Sequence, residues 1–130
     1  MILRIHHVQL AIPAGREASA RAFYGDLLGM QEIEKPGNLT PLDGLWFELP
    51  DGRVQLHLGV EEPFRPAKKA HPALVVIDLA AVERALRSAG HPIVVETQLE
   101  GYRRFYTEDP FGNRLEILAE QDGSATATLP

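Results

Sequence analysis

The side chains best suited to bind a metal lie in four strand-like segments: His7, His57, His71 and Glu116. Neighbouring side chains of a strand point to opposite faces, and each of these residues lies opposite an apolar row. If helices cover the apolar rows, the four ligands can converge on a twisted sheet. Three imidazoles and a carboxylate, without cysteine, predict a site for one divalent ion such as Zn, Ni, Fe, Mn or Co. His6 falls on the helix-facing side, and we expect it to be structural.

Other polar side chains share the faces of these ligands. Tyr106 lies ten residues before Glu116 on the preceding strand. An anionic group of a substrate could be bound by an arginine fork. The predicted substrate-binding residues are Arg104, Arg114, Gln9, Gln55 and Trp46.

The chain alternates strand-like and helical patterns in the order β-α-β-β-β, and does so twice. A strand over 4–12 precedes a helix over 16–28, and three strands follow up to residue 60. The second half repeats this order: a strand over 71–77, a helix over 79–90 and strands over 92–98, 103–109 and 114–120. The segments HVQLAI and HPALVVI share the pattern H-x-x-L-x-[VI]. These patterns predict an α+β fold built from two βαβββ modules.

We expect a single domain over 1–120, with module one at about 4–60, a linker at 61–69 and module two at about 70–120. Residues 121–130 have little apolar content and are predicted to form a flexible tail. A net charge of −5 gives no electrostatic case for nucleic acid or an acidic membrane surface. No signal peptide or membrane span is recognised, so a cytoplasmic location is expected. The predicted partner is a small-molecule substrate.

The segments HHVQLAIP, AFYGDLLGM, VQLHLGV, HPALVV and FYTEDPFGNRLEIL resemble the vicinal oxygen chelate superfamily, to which glyoxalase I, extradiol dioxygenases and bleomycin resistance proteins belong. The resemblance covers residues 4–120. It implies an open barrel around one metal, with ligands at His7, His57, His71 and Glu116. In such families the metal binds two substrate oxygens and stabilises an enolate or alkoxide. The paired modules come from one chain or from two chains, and a homodimer is expected.

The resemblance leaves three functions open. The ligand set favours a glyoxalase-like lyase or isomerase acting on a small α-oxygenated carbonyl compound, in which Glu116 or His57 would be the base that takes a proton next to the carbonyl. The resemblance thus implies catalytic roles for Glu116, His57 and Tyr106. However, Ala11 replaces an arginine that holds glutathione in glyoxalase I, which weakens the case for that thiol. An Fe(II) extradiol-type dioxygenase is supported by two histidines, one glutamate and Tyr106. A drug-binding resistance protein without chemistry would use Trp46 or Phe47 to stack on its ligand.

Overall fold

The computed structural model describes residues 1–39 and 43–121. The chain divides into two compact units, Met1–Ala67 (unit one) and Lys68–Pro130 (unit two). Each unit carries its own sheet. The predicted tail lies, apart from Gln121, outside the described residues. Within the described residues, no helix is long and apolar enough to cross a membrane.

Unit one contains strand β1 (His7–Ile12), followed by a helix and three further strands. Helix α1 is α-helical over Glu17–Ala20 and continues as a π-helix over Arg21–Leu27. In the wider π-helical part, the Leu28 N–H donates to the Phe23 carbonyl. The strands that follow are β2 (Gln31–Ile33), β3 (Leu45–Glu48) and β4 (Gln55–Val60). The sheet order is β1-β4-β3-β2, with β1 parallel to β4 and the other pairs antiparallel.

The buried face of unit one follows the predicted alternation. Leu10 and Ile12 of β1 are buried, whereas His7 and Gln9 are exposed. The helix covers this face, where the ring of Tyr24 contacts Phe47 of β3. The side-chain period of the strands therefore separates an apolar, helix-covered face from a face that carries the predicted ligands.

Unit two contains a three-stranded sheet with the order β5-β7-β6. Its elements are strand β5 (Ala73–Val75), helix α2 (Leu79–Ser88), β6 (Tyr102–Glu108) and β7 (Arg114–Glu120). Asp78 caps α2 by accepting a hydrogen bond from the Ala81 N–H at 3.0 Å. The helix packs on β7, where both faces of the strand are buried over residues 115–119, and apolar side chains from the helix and the strands form the core. They are Leu79, Leu86, Phe105, Leu115 and Ile117.

The strand predicted over 92–98 is wrong: this segment makes only an isolated bridge between Val94 and Tyr106. Val94 and Val95 are both exposed, so the segment has no buried face to fix a strand register. Side-chain hydrogen bonds hold it instead. Gln98 donates to the Arg104 carbonyl and accepts from the Arg104 N–H.

The β6–β7 turn sets which residues of unit two face one another. The buried Asp109 accepts hydrogen bonds from the backbone N–H groups of Phe111 and Asn113, both at 2.9 Å, and from the Asn113 side chain at 2.8 Å. Gly112 occupies the left-handed region, with φ at 93°, as the tight turn requires. This turn starts the ladder that places Tyr106 directly opposite Glu116.

Candidate functional site

The predicted site residues gather into two clusters, one in each unit. We call the first the histidine stack; it consists of His7, His57 and Trp46, with Gln9 and Gln55 beside it. We call the second the carboxylate cluster; it consists of His71, Arg104, Tyr106, Arg114 and Glu116. Each cluster lies on the polar side of its sheet, as the strand alternation predicted.

The histidine stack crosses three neighbouring strands of unit one. The His57 ring lies between two others: its centroid is 3.8 Å from that of Trp46 and 4.0 Å from that of His7. The interplanar angles are 6° and 14°, so the three rings are nearly parallel. Trp46 is the direct cross-strand partner of His57, which explains their contact.

His57 is buried and neutral in this arrangement. Burial, followed by the proximity of His7 and His6, lowers the pKa of His57 to about 4. Its Nε2–H donates to Gln55 Oε1 at 2.8 Å, in the tautomer that this contact requires. Neutral imidazole is the form that binds metals, and Nδ1 carries the remaining lone pair. Gln55 therefore orients His57 in the structure.

His7 is exposed, and its Nδ1 lies 2.9 Å from the Nδ1 of His6. His6 is also exposed, so any structural role acts through this contact rather than through the core. The lone pairs of imidazole lie in the ring plane, and metal–nitrogen bonds are about 2.0 Å long. Since the His7 and His57 rings are stacked, their lone pairs do not converge, and at least one ring must turn before both can bind one ion.

Gln9 lies against the backbone of the neighbouring strand. A Cβ atom at Gly59 would lie 2.6 Å from the Gln9 Nε2, so the missing side chain at Gly59 makes room for this amide. Gln9 is also the strand partner of His57. Its amide is thus placed next to the histidine stack, on the face where substrate contact was predicted.

In the carboxylate cluster, His71 and Glu116 meet directly. His71 Nε2 lies 2.9 Å from Glu116 Oε1, and His71 Nδ1 lies 2.9 Å from the Lys69 carbonyl oxygen. The carbonyl and the ionised carboxylate both only accept, so each ring nitrogen donates a hydrogen in this arrangement, and the Nε2 hydrogen must leave before Nε2 can bind a metal. A backbone carbonyl that fixes one ring nitrogen in this way is the usual support of a metal-binding histidine.

Glu116 is a buried carboxylate held between two donors. Burial raises its pKa, but hydrogen bonds from His71 and Arg104 and the charge of Arg104 outweigh that effect and lower the pKa below its ordinary value. Arg104 Nη1 lies 3.0 Å from Glu116 Oε2. Arg104 is itself fixed, because its Nε and Nη2 donate to the Thr97 carbonyl at 3.2 and 2.7 Å. Glu116 is therefore ionised at neutral pH.

Tyr106 lies among the basic side chains of the cluster. The guanidinium carbon of Arg114 lies 3.9 Å from the Tyr106 ring centroid, and that of Arg104 lies 5.5 Å away. The His71 ring meets Tyr106 edge to face, with centroids 5.4 Å apart. Arg114 also donates to Glu96 at 3.0 Å. This packing orients Tyr106 beside the histidine–carboxylate pair.

Sequence reasoning missed Glu96 and Thr97. Thr97 acts through its backbone carbonyl, and every residue has such a carbonyl, so the amino-acid type gives no signal of this role. Glu96 lies in the segment that was predicted as a strand, so nothing indicated that its side chain reaches Arg114. The sequence also did not identify the Asp109–Asn113 turn as the element that aligns Tyr106 with Glu116.

The residues present fit a divalent metal in donor type, although they are distributed over two units. His71 and Glu116 bring Nε2 and Oε1 together with supporting contacts, and His57 is held neutral. Within residues 1–39 and 43–121, no group of three or more histidine and acidic side chains could hold a metal ion. The four-ligand set of His7, His57, His71 and Glu116 therefore stays a prediction.

The chain is similar to several solved structures. A glyoxalase family protein from Bacillus anthracis is 42% identical, with a TM-score of 0.84, and the match covers 93% of this chain and 98% of that one. Oxidase ChaP-H2 is 27% identical, with a TM-score of 0.69 and coverages of 92% and 95%. A glyoxalase/dioxygenase from Nostoc punctiforme is 24% identical, with a TM-score of 0.75 and 90% coverage of both chains, and shows the shared fold alone. None of the curated proteins matches.

The family comparison agrees with the fold and covers most of the chain. The profile of the Glyoxalase/Bleomycin resistance protein/Dioxygenase superfamily matches residues 4–117. This range includes both sheets and both clusters. The chain therefore belongs to the Glyoxalase/Bleomycin resistance protein/Dioxygenase superfamily.

Proposed function

We propose that the protein is a metal-dependent, glyoxalase-like lyase or isomerase that acts on a small α-oxygenated carbonyl compound. The observation that carries this proposal is the buried, ionised Glu116, held between His71 Nε2 and Arg104 beside Tyr106. A buried carboxylate costs several kcal/mol to desolvate unless donors or a cation compensate it. Keeping it ionised next to an oriented imidazole favours metal binding.

His71 and Glu116 are proposed as metal ligands, together with His7 and His57 of unit one. The ion would be Zn, Ni, Fe, Mn or Co. A bound divalent ion supplies Lewis acidity, which stabilises the enolate that forms when a proton leaves the carbon next to a carbonyl. Arg104 keeps the Glu116 carboxylate ionised and oriented. The Lys69 carbonyl orients the His71 ring by accepting a hydrogen bond from its Nδ1–H.

The proton acceptor is assigned to Glu116 or His57. Their lowered pKa values make both weak bases at neutral pH, and an efficient general base has a pKa near the working pH. In the described structure both Glu116 oxygens accept hydrogen bonds, whereas only Nε2 of His57 is engaged. Because a metal would use this remaining Nδ1 of His57, we place the acceptor at the Glu116 oxygen that does not bind the ion, and we assign Tyr106 to hydrogen bonding with the substrate oxygen. Glutathione is not part of the proposal, because of Ala11.

The test begins with elemental analysis of protein purified without added metal. Turnover of methylglyoxal is then followed with and without glutathione, on protein loaded with each candidate ion. We expect one bound ion per site and turnover that disappears in Glu116→Gln and persists in the matched surface variant Glu83→Gln. Absence of stoichiometric metal, or no turnover of methylglyoxal or related hydroxy-carbonyl compounds under any loading, would exclude the lyase.

An oxygen-dependent reaction is the second candidate. It is favoured by the 27% identity to Oxidase ChaP-H2 and by the position of Tyr106 edge to face against His71. Oxygen consumption by Fe(II)-loaded protein with a panel of catechols distinguishes the two enzymes. Oxygen uptake that depends on the added catechol and is lost in Tyr106→Phe would support the oxygen-dependent reaction. If no catechol of the panel causes oxygen uptake, the lyase is favoured.

A binding protein without chemistry is the third candidate, and it rests on Trp46. One face of this ring is covered by His57, and the ring also lines a cavity of about 330 Å³ in unit one. Quenching of Trp46 fluorescence by an aromatic drug, undiminished by a chelator, would support this function over both enzymes. The predicted homodimer and the cytoplasmic location are also part of the proposal.

A further inference from the structure

Unit two contains a cavity of about 280 Å³ next to the carboxylate cluster. Such a volume is at the lower end of ligand pockets, so only a small molecule fits. Its wall combines apolar groups, an aromatic ring and two oppositely charged pairs. The lining includes Lys68, Val94, Glu96, Tyr106, Glu108 and Arg114.

The two arginines of the cluster differ in how many of their donors are used. Among the described residues, Arg104 donates three hydrogen bonds, to Thr97 and Glu116. Arg114 donates one, to Glu96. A guanidinium carries five N–H donors in a planar fork that matches a carboxylate. Since the Arg114 fork lies over the Tyr106 ring, its plane is already oriented, and little freedom is lost on binding an anion.

Glu96 is the partner of Arg114 that a ligand can most easily replace. Its side chain is 52% exposed, against 23% for Arg114, so Glu96 can return to water at little cost. It lies two residues beyond Val94, in a segment whose ladder pairing with β6 is limited, among the described residues, to the Val94–Tyr106 bridge. The Glu96 carboxylate thus occupies the position on Arg114 that a carboxylate from solution would take.

The rest of the wall indicates what such an anion carries. Pro92 and Val94 are apolar, and the Tyr106 ring adds an aromatic surface. Lys68 contributes a second cation, paired with Glu108 at 3.5 Å. A small carboxylate with a short apolar or aromatic group matches this combination.

We propose that Arg114, stacked on Tyr106, binds the carboxylate of the substrate, and that Glu96 occupies this site until the substrate displaces it. The inference deepens the proposed function, on which it rests, by assigning the substrate to the small carboxylic acids. It separates the roles of the arginines: Arg104 positions Glu116, and Arg114 selects the ligand.

The test measures binding of benzoate to protein freed of metal, at constant ionic strength, from NMR shifts of the Arg114 side chain and the Tyr106 amide. Benzamide, which has the same shape without the charge, is the matched probe. Glu96→Gln removes the internal competitor and is expected to tighten benzoate binding by about threefold, because an exposed ion pair contributes up to about that factor. Benzamide binding should stay unchanged.

Two further variants control the comparison. Glu83→Gln removes a carboxylate paired with Arg87 on α2, away from the cavity lining, and should leave benzoate binding unchanged. Arg114→Gln should weaken benzoate binding by at least about tenfold, through the lost charged hydrogen bonds, while circular dichroism checks that it folds. Arg114→Lys keeps the charge but not the planar fork of donors, so its affinity for benzoate should lie between those of the unchanged protein and Arg114→Gln.

The proposal is overturned if Glu96→Gln binds benzoate no better than Glu83→Gln, if benzamide gains equally, or if Arg114→Gln binds benzoate like the unchanged protein. Because the experiment uses metal-free protein, it is independent of turnover. The expected benzoate pattern without any turnover would leave the carboxylate site and remove the lyase. Turnover without the benzoate pattern would support the lyase and exclude the carboxylate site at Arg114.

Discussion

In unit one, His57 contacts its neighbours through ring faces, whereas in unit two His71 contacts Glu116 through its Nε2 atom. Both clusters lie on the polar faces of small sheets, and both place a histidine beside a side chain of the neighbouring strand. The difference lies in that side chain. An aromatic ring across the ladder favours stacking, and a carboxylate favours an in-plane hydrogen bond.

The position of a residue in a strand brings donor groups close together, but it does not decide whether their lone pairs point at a common metal position. The carboxylate cluster is held by Arg104, Lys69 and the β6–β7 turn, so its donor atoms are already directed. The histidine stack must be rearranged before His7 and His57 can share an ion. Metal binding should therefore depend more on unit two than on unit one.

The largest expected effect is on metal affinity. Glu116→Gln should lower the affinity for Zn or Ni by about a hundredfold or more, because even the loss of outer contacts can reach that size. His7→Ala should lower it by about tenfold, and His6→Ala should leave it unchanged. Competition with a chromophoric chelator measures all three. Equal losses in all three variants would mean that the assignment of strand faces is wrong.

The next effect is a pH dependence of stability that arises from His57. The unfolded chain takes up a proton at an ordinary histidine pKa of about 6.5, whereas the folded pKa is about 4. Between these values the unfolded state binds more protons, so stability falls as the pH is lowered. For metal-free protein the loss from pH 7 to pH 5 should be about 2 kcal/mol.

Urea unfolding of EDTA-treated protein at these two pH values measures this loss. His57→Gln should flatten the dependence, and His91→Gln serves as the control that should retain it. An equally steep profile in His57→Gln would show that the stack does not keep His57 neutral.

A smaller effect is expected when the support of Glu116 is removed. Arg104→Gln leaves Glu116 with His71 as its hydrogen-bond donor, so the pKa of Glu116 should rise and metal affinity should fall by about tenfold. Arg103→Gln, at an exposed residue on the opposite face of β6, is the matched control. Carboxyl NMR titration follows the pKa. If both variants behave alike, Arg104 does not position Glu116.

The smallest effect concerns Trp46. Trp46→Leu removes one of the two stacking partners of His57 and should lower the free energy of unfolding by about 1 kcal/mol, with a small rise in the His57 pKa because burial decreases. Trp46→Phe keeps a stacking ring and should lose less. Thermal unfolding and histidine NMR titration measure these changes. Metal affinity should fall by less than in His7→Ala, and a larger loss would contradict the smaller effect expected from unit one.

Much of the fold was predictable from the sequence. The period of two predicted apolar rows along β1 and β7, and Leu10, Ile12, Leu115 and Ile117 of these rows are buried. His57 and Glu116 are buried as well, so the assignment of the ligands to one site stays a prediction. The helix predicted over 79–90 corresponds to α2 (Leu79–Ser88). The failure over 92–98 has a clear cause: two adjacent exposed valines have β propensity, but no sheet face to fill.

What the sequence determined by itself is which donor types lie on which face, because the alternation of a strand is a local property of its backbone. Only the tertiary structure decided which atoms meet. The Asp109–Asn113 turn set the register that pairs Tyr106 with Glu116. The Thr97 carbonyl accepts two hydrogen bonds from Arg104, whereas Arg114 donates one hydrogen bond, to Glu96, among the described residues. Hydrogen bonds depend on direction and on distances of a few ångströms, and segments far apart in the chain supply both partners.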